Sequence, residues 1–234
     1  MKYIFLFIGI LLIVTFLFFI QVRYYAHISK ALIEDTVKFT NESADIKKTL
    51  LVLGDSTAYG VGASKTEDSL PALVASFVGA TYTENYSISG AKIEGIASQL
   101  KNIKRNEYDL ILLQIGANNI VARDNVDESS EKLEVILKDI QTLSGRVVLV
   151  TAGDVGGAPA IPFPFRSYYK NLTLSYHEKF QALGDKLGVT YVNLYDEPEV
   201  DPFILQPEVY FAEDMFHPSS EGYKLWFTKF KKYL

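Results

Sequence analysis

The chain contains no cysteine. That excludes a disulfide framework and a thiolate nucleophile, while leaving the compartment open. It has no lysine- or arginine-rich tract interleaved with aromatics, and its net charge is −5. A nucleic-acid partner needs a basic footprint, so this balance argues against one. Lys229, Lys231 and Lys232 read as the solvated face of a last helix. No internal repeat or low-complexity tract is present. Gly60 and Gly62 resemble part of a phosphate-binding loop, but no Gly-Lys-Ser/Thr follows them. The acidic stretch Asp196, Glu197, Glu199 and Asp201 lacks the spacing of a calcium loop and reads as a solvated surface turn. His27 and His177 stand alone and take no role. Neither a metal nor an organic cofactor is expected.

What is present suits one globular domain with a short appendage: 234 residues, 48% of them hydrophobic and 22% charged. Residues 3–20 form an apolar run interrupted mildly by Gly9 and Thr15. At about 1.5 Å per helical residue it reaches nearly across a hydrocarbon core of about 30 Å. Gln21-Val22-Arg23-Tyr24-Tyr25 follows, without the small residues of a signal-peptidase site. An uncleaved transmembrane anchor over residues 1–21 is therefore preferred to a cleaved signal. Residues 22–48 read as a polar stalk with some helical character at Ala31, Leu32, Ile33 and Val37, and Tyr24 and Tyr25 suit the membrane interface. Lys2 is opposed by Arg23, Lys30 and Lys38, so charge does not orient the span. A short tail before a large domain favours a single-pass arrangement with an extracytoplasmic domain.

Residues 49–234 alternate strand-like and helix-like segments. Strands are expected at 50–53, 82–86, 108–115, 147–151 and 190–194, and helices at 69–78, 93–103, 128–143, 173–187 and from 219 onward. Leu133, Ile136, Leu137 and Ile140 keep helical spacing, as do Tyr223, Trp226, Phe227, Phe230 and Leu234. Repeated β-α alternation predicts a three-layer α/β/α fold around a central, mostly parallel five-stranded sheet. Ligands of such sheets bind beyond the carboxyl ends of the strands.

Four blocks fall just there or close the chain. They are Gly54-Asp55-Ser56, Asn85-Tyr86-Ser87-Ile88-Ser89-Gly90, Gly116-Ala117-Asn118-Asn119 and Asp214-Met215-Phe216-His217. In this order they resemble the SGNH (GDSL-type) hydrolases, a family of serine esterases, lipases and carbohydrate deacetylases. The resemblance implies a flavodoxin-like SGNH fold. It also implies Ser56 as nucleophile, His217 as base and Asp214 as the group that orients the imidazole. The oxyanion hole would be the Ser56 and Gly90 backbone N–H groups and the Asn118 amide. Asn85 and Asp55 would hold loop geometry. The family's third block usually ends Asn-Asp, and here it ends Asn118-Asn119, which removes a negative charge.

The function implied is that of a membrane-anchored serine esterase acting on an O-acyl ester, acetyl or longer, of an envelope glycan or a lipid. An O-acyltransferase using the same acyl-enzyme and a silent envelope-binding domain are the rival readings. The apolar, proline-rich segment 159–169 should border the site, as an acyl-binding wall, a membrane-facing lip or a loop packed on its own domain.

Overall fold

The computed structural model describes residues 2–234, so Met1 of the predicted anchor lies outside the described residues. Helix α1 (Lys2–Asp35) is 34 residues long and continues past residue 21. The expected stalk thus begins as a continuation of the helix. Its remainder lies against the domain: β1 (Asn41–Glu42) pairs antiparallel with β3 (Tyr82–Asn85), and the Ser43 N–H donates to the Thr81 carbonyl at 3.0 Å.

The sheet has six strands, one more than expected, in the order β1-β3-β2-β4-β5-β6. β2 is Thr49–Gly54, β4 Leu110–Gln114, β5 Val147–Val150 and β6 Thr190–Val192. All neighbours except β1 and β3 are parallel. The additional strand is two residues long and carries no alternating pattern, so only its pairing reveals it. β2 and β4 lie at the centre, and every residue of both is buried. That explains why they read as continuous apolar runs and not as alternating ones.

Helices cover both faces. α3 (Leu70–Val78) packs with α10 (Ser220–Phe230), and α6 (Val126–Gln141) packs with α7 (Arg166–Leu187). Helix α7 starts seven residues before the expected position. Its first turns are rich in Ser, Tyr and Asn, which are weak helix formers, and tertiary contacts decide the matter. Tyr169 is buried there, and its hydroxyl donates to the Val121 carbonyl at 3.2 Å.

Strand β3 carries a buried carboxylate. Glu84 of β3 accepts from the Tyr82 and Tyr108 hydroxyls, each at 2.6 Å, and from the Lys104 N–H at 3.2 Å. Burial alone would raise its pKa, but these donors outweigh it and hold the carboxyl below its ordinary value. Tyr108→Phe removes one donor from a buried carboxylate and should cost about 1.5–3 kcal/mol in denaturant unfolding at neutral pH. A lowered pKa contributes stability above the unfolded value, so the penalty should fade as pH falls below 4.5. A penalty independent of pH would show that the carboxylate is not the group being served.

Candidate active site

The site begins where β2 ends. Gly54 has φ +146°, and a Cβ there would stand 2.0 Å from the Gln114 carbonyl oxygen of β4. Only glycine lets the strand make this turn against its neighbour. Gln99, fully buried on α4 (Ile96–Leu100), accepts from the Gly54 N–H at 2.9 Å and donates to the Gly54 carbonyl at 2.8 Å. The turn passes directly into α2 (Ser56–Tyr59). Asp55 caps that helix by accepting from the Thr57 N–H at 2.9 Å and the Thr57 hydroxyl at 2.7 Å. Ser56 is therefore the first helical residue, and its own N–H has no acceptor among the described residues.

The C-terminal block meets it from the other side. Phe211 and Pro218 form an antiparallel bridge, and the Ala212 N–H donates to the His217 carbonyl at 2.8 Å. Within this loop Met215 takes φ +53°, which tightens the turn. Asp214 Oδ1 accepts from the Phe216 and His217 N–H groups at 3.1 and 2.9 Å. Its Oδ2 lies 2.5 Å from His217 Nδ1, and His217 Nε2 lies 2.8 Å from Ser56 Oγ. Ser56, His217 and Asp214 are thus brought into one hydrogen-bonded chain. Burial pushes the Asp214 carboxyl up, but the His217 hydrogen bond and charge and the two N–H donors outweigh it, and the net shift is downward. With Asp214 ionised, Nδ1 carries the proton and Nε2 is free to accept from the serine.

Gly62 has a packing role instead of a phosphate one. A Cβ on it would lie 2.3 Å from the Pro218 carbonyl and 3.2 Å from His217 Cβ, so its bareness lets the histidine loop close on the serine segment. Tyr223 of α10 ties the same two segments by donating to the Val61 carbonyl at 2.7 Å.

Asn85 holds geometry. Its amide donates to the Ala58 carbonyl at 3.0 Å and its oxygen accepts from the Ser87 N–H at 3.0 Å. Gly90 sits in the turn after β3 with φ +80°, exposed, with no protein acceptor for its N–H among the described residues. Asn118, at the start of α5 (Ala117–Ala122), lines the cleft with Ser56, and its amide donates to the Ala91 carbonyl at 3.0 Å beside Gly90. Asn119 explains the unusual end of the third block. Its oxygen accepts from the Ile93 N–H at 3.1 Å while its NH₂ donates to Asp124 at 2.9 Å, and Asp124 pairs with Lys92 at 3.0 Å. The missing negative charge is carried by Asp124, and an aspartate at 119 would oppose it.

The cleft encloses about 620 Å³ with its open mouth included. Phe203, Phe211, Phe216 and Trp226 contribute an aromatic wall, and Asp154 and Asp201 line it too. Asp201 corrects an expectation: of the acidic stretch, Glu197 and Glu199 are exposed, but Asp201 is buried. It caps the short helix α8 (Pro202–Leu205) by accepting from the Phe203 N–H at 2.9 Å. Asp196 pairs with Lys229 and is only partly exposed. His177 lies within the core, where Nδ1 meets the Tyr191 hydroxyl and burial pushes its pKa down to about 4. His27 is exposed on α1. Among the described residues no group of three or more His, Cys, Asp or Glu side chains is placed to hold a metal.

Gln99 escaped the sequence reading, although a signal existed. It stands three residues after Ile96 and four before Ile103, a polar residue on the core face of its helix.

A doubly wound, mostly parallel sheet with a Ser···His···Asp chain over its carboxyl edge is the architecture of the SGNH-type hydrolases. The chain belongs to the GDSL-like lipase/acylhydrolase family, whose model matches residues 52–225. A GDSL-like esterase of Mycobacterium tuberculosis is 27% identical over 183 residues, covering 75% of this chain and 58% of that protein. The chain thus spans little more than half the length of that relative. Among solved structures, phospholipase A1 of Streptomyces albidoflavus is similar with a TM-score of 0.62 at 15% identity, over 80% of this chain and 99% of that one. A variant of a Geobacillus acetyl-xylooligosaccharide esterase is similar at 0.60 and 16%, over 80% and 94%. At such identities these two likenesses speak to the fold.

Two results should follow. Asn119→Asp should cost at least about 1–3 kcal/mol, because it sets two carboxylates against each other, and Asn119→Asp with Asp124→Asn should recover much of the loss. Equal losses in single and double variants would disprove the pairing. Burial is the main cause that raises the Asp201 pKa, to about 6 from 3.8. The folded state therefore binds the extra proton between these values, and this site loses stability as pH rises through them. Asp201→Asn keeps a capping oxygen and should gain in stability on wild type from pH 4 to pH 7 in parallel melts; a constant gap would refute the shift.

Proposed function

We propose that this protein is a membrane-anchored serine esterase that cleaves an O-acyl ester through Ser56, His217 and Asp214. The observation that carries the reading is the continuous hydrogen-bonded chain from Asp214 through His217 to Ser56 Oγ at the wall of the cleft. In acylation Ser56 Oγ attacks the ester carbonyl as its proton passes to His217 Nε2, and a tetrahedral oxyanion forms. Collapse expels the alcohol, which takes the proton from His217. Water then repeats the sequence on the acyl-enzyme, giving the carboxylic acid and free Ser56. Asp214 keeps the imidazole in the productive tautomer throughout.

The oxyanion would be met by the N–H groups of Ser56 and Gly90 and the Asn118 amide. In support, neither N–H is committed to an acceptor among the described residues, and Asn118 spends one amide hydrogen on Ala91 while a second remains. The anchor would be residues 1–21, with 22–48 connecting it to a hydrolase domain at 49–234. Among the described residues one helix is long and apolar enough to cross a membrane, and its apolar side chains Tyr3 to Ile10 and Leu12 to Ile20 are largely exposed.

The test is fluorophosphonate labelling with turnover of a p-nitrophenyl ester series. Ser56→Ala should remain folded and lose both labelling and turnover. Asn118→Ala should lower kcat by about 10² to 10³, the usual scale for one oxyanion donor. Labelling that survives in Ser56→Ala would overturn the nucleophile, and a folded wild type that neither labels nor turns over would favour the silent binding domain.

A further inference from the structure

The 159–165 loop touches two things that matter. Gln21 of α1 donates to the Pro159 carbonyl at 3.2 Å, and the next residue, Ala160, donates its N–H to the Met215 carbonyl at 3.1 Å. Met215 lies between Asp214 and His217, so one short segment joins the apolar helix to the histidine turn. Just before it, Gly157 and Ala158 line the same cleft as Ser56.

Beyond Pro159 the loop runs back along the apolar part of α1. Residues 162–165 face a hollow shared with Val14, Leu17, Phe18 and Gln21, and the Phe18 and Phe165 rings meet edge-on at 5.9 Å. Val14 precedes Ile20, the end of the apolar run, by six residues, or about 9 Å along a helix. If the helix spans a bilayer, the loop tip beside it lies within the same leaflet.

The tip is built for such a place. Phe163 is 85% exposed, a cost in water without any partner in the protein. Irregular backbone is not found exposed to the hydrocarbon core, so a tip of this kind suits the interfacial level of the leaflet, where unserved polar groups meet headgroups and water. Pro162 and Pro164 have no N–H to serve. Ile161 and Phe165 donate to the Ala158 and Pro162 carbonyls at 2.9 and 3.0 Å, and Arg166 donates to the Ile161 carbonyl at 2.9 Å. Among the described residues the Phe163 N–H and the Phe163 and Pro164 carbonyls find no protein partner, so these are the groups left to headgroups and water.

We propose that residues 162–165 form a second membrane-contacting element, inserted into the lipid beside α1 and linked through Ala160 to the histidine turn, so that the cleft is held at the bilayer surface. This rests on the anchor and esterase readings above, and each can be checked separately. The absence of native cysteine makes single-cysteine labelling clean. Full-length Phe163→Cys, Phe7→Cys and Glu131→Cys would each carry an environment-sensitive fluorophore in phosphatidylcholine–phosphatidylglycerol vesicles. Brominated lipids and aqueous iodide would serve as quenchers.

The expected result is lipid quenching at Phe163 and at Phe7, with Glu131, exposed on α6, quenched by iodide. Lipid quenching at Phe7 with iodide quenching at Phe163 would overturn the insertion and leave the anchor standing. Iodide quenching at both would overturn both. A label at Phe163 shielded from both quenchers would mean that protein, such as a second copy, covers the loop, and this too would overturn the proposal. Fluorophosphonate labelling of Ser56 in the same vesicles reports the esterase reading by itself. For coupling to the site, Phe163→Asp should lower the ratio of turnover on a bilayer-borne ester to that on a soluble ester by about tenfold or more. An unchanged ratio would sever the loop from the chemistry.

Discussion

Everything at this site depends on one backbone turn at Gly54. The strand must reverse into a helix within a single residue while staying hydrogen-bonded to β4, and a side chain there would collide with the Gln114 carbonyl. Gln99 makes the turn permanent by satisfying both polar groups of the glycine inside the core. Buried backbone groups demand partners, so this clamp removes the competing option of a relaxed strand end. Ser56 is consequently displayed at the carboxyl edge of the sheet, at the point where the strand order changes direction.

The second constraint is the approach of a segment more than 150 residues away in the chain. The loop carrying Asp214 and His217 reaches Ser56 because Gly62 leaves room for Pro218 and because Tyr223 pins α10 to Val61. Asp214 then serves both the backbone of its own turn and the imidazole. Local structure and site geometry are held by one buried carboxylate, which is why its environment favours the charged form.

Asn119 and the 159–165 loop show how context reassigns residues. The departure from the family's usual Asn-Asp is a relocation of charge: Asp124 supplies it, Lys92 balances it, and Asn119 bridges as donor and acceptor together. The proline-rich loop, three-way ambiguous as sequence, is bonded at neighbouring residues to the apolar helix and to the histidine turn. One short segment thus bridges the helix and the turn that carries His217.

The sequence by itself determined the parallel α/β architecture, because its central strands are buried on both faces and read as unbroken apolar runs between helical stripes. It also determined the residue types of the site, since glycine at a tight turn, an acid three residues before a histidine, and an asparagine after a strand each have a chemical reason to be there. Only the tertiary structure decided the sixth strand, the early start of α7, the burial of Asp201 and the clamp by Gln99. Three of these depend on a partner distant in the chain: an edge already formed, a core that accepts Tyr169, and a glycine that needs both its polar groups met. Asp201 caps a helix only two residues on, but its burial comes from the cleft that closes around it. The period that sets Gln99 on the core face does not name its partner, and such pairings exist only once the sheet has closed.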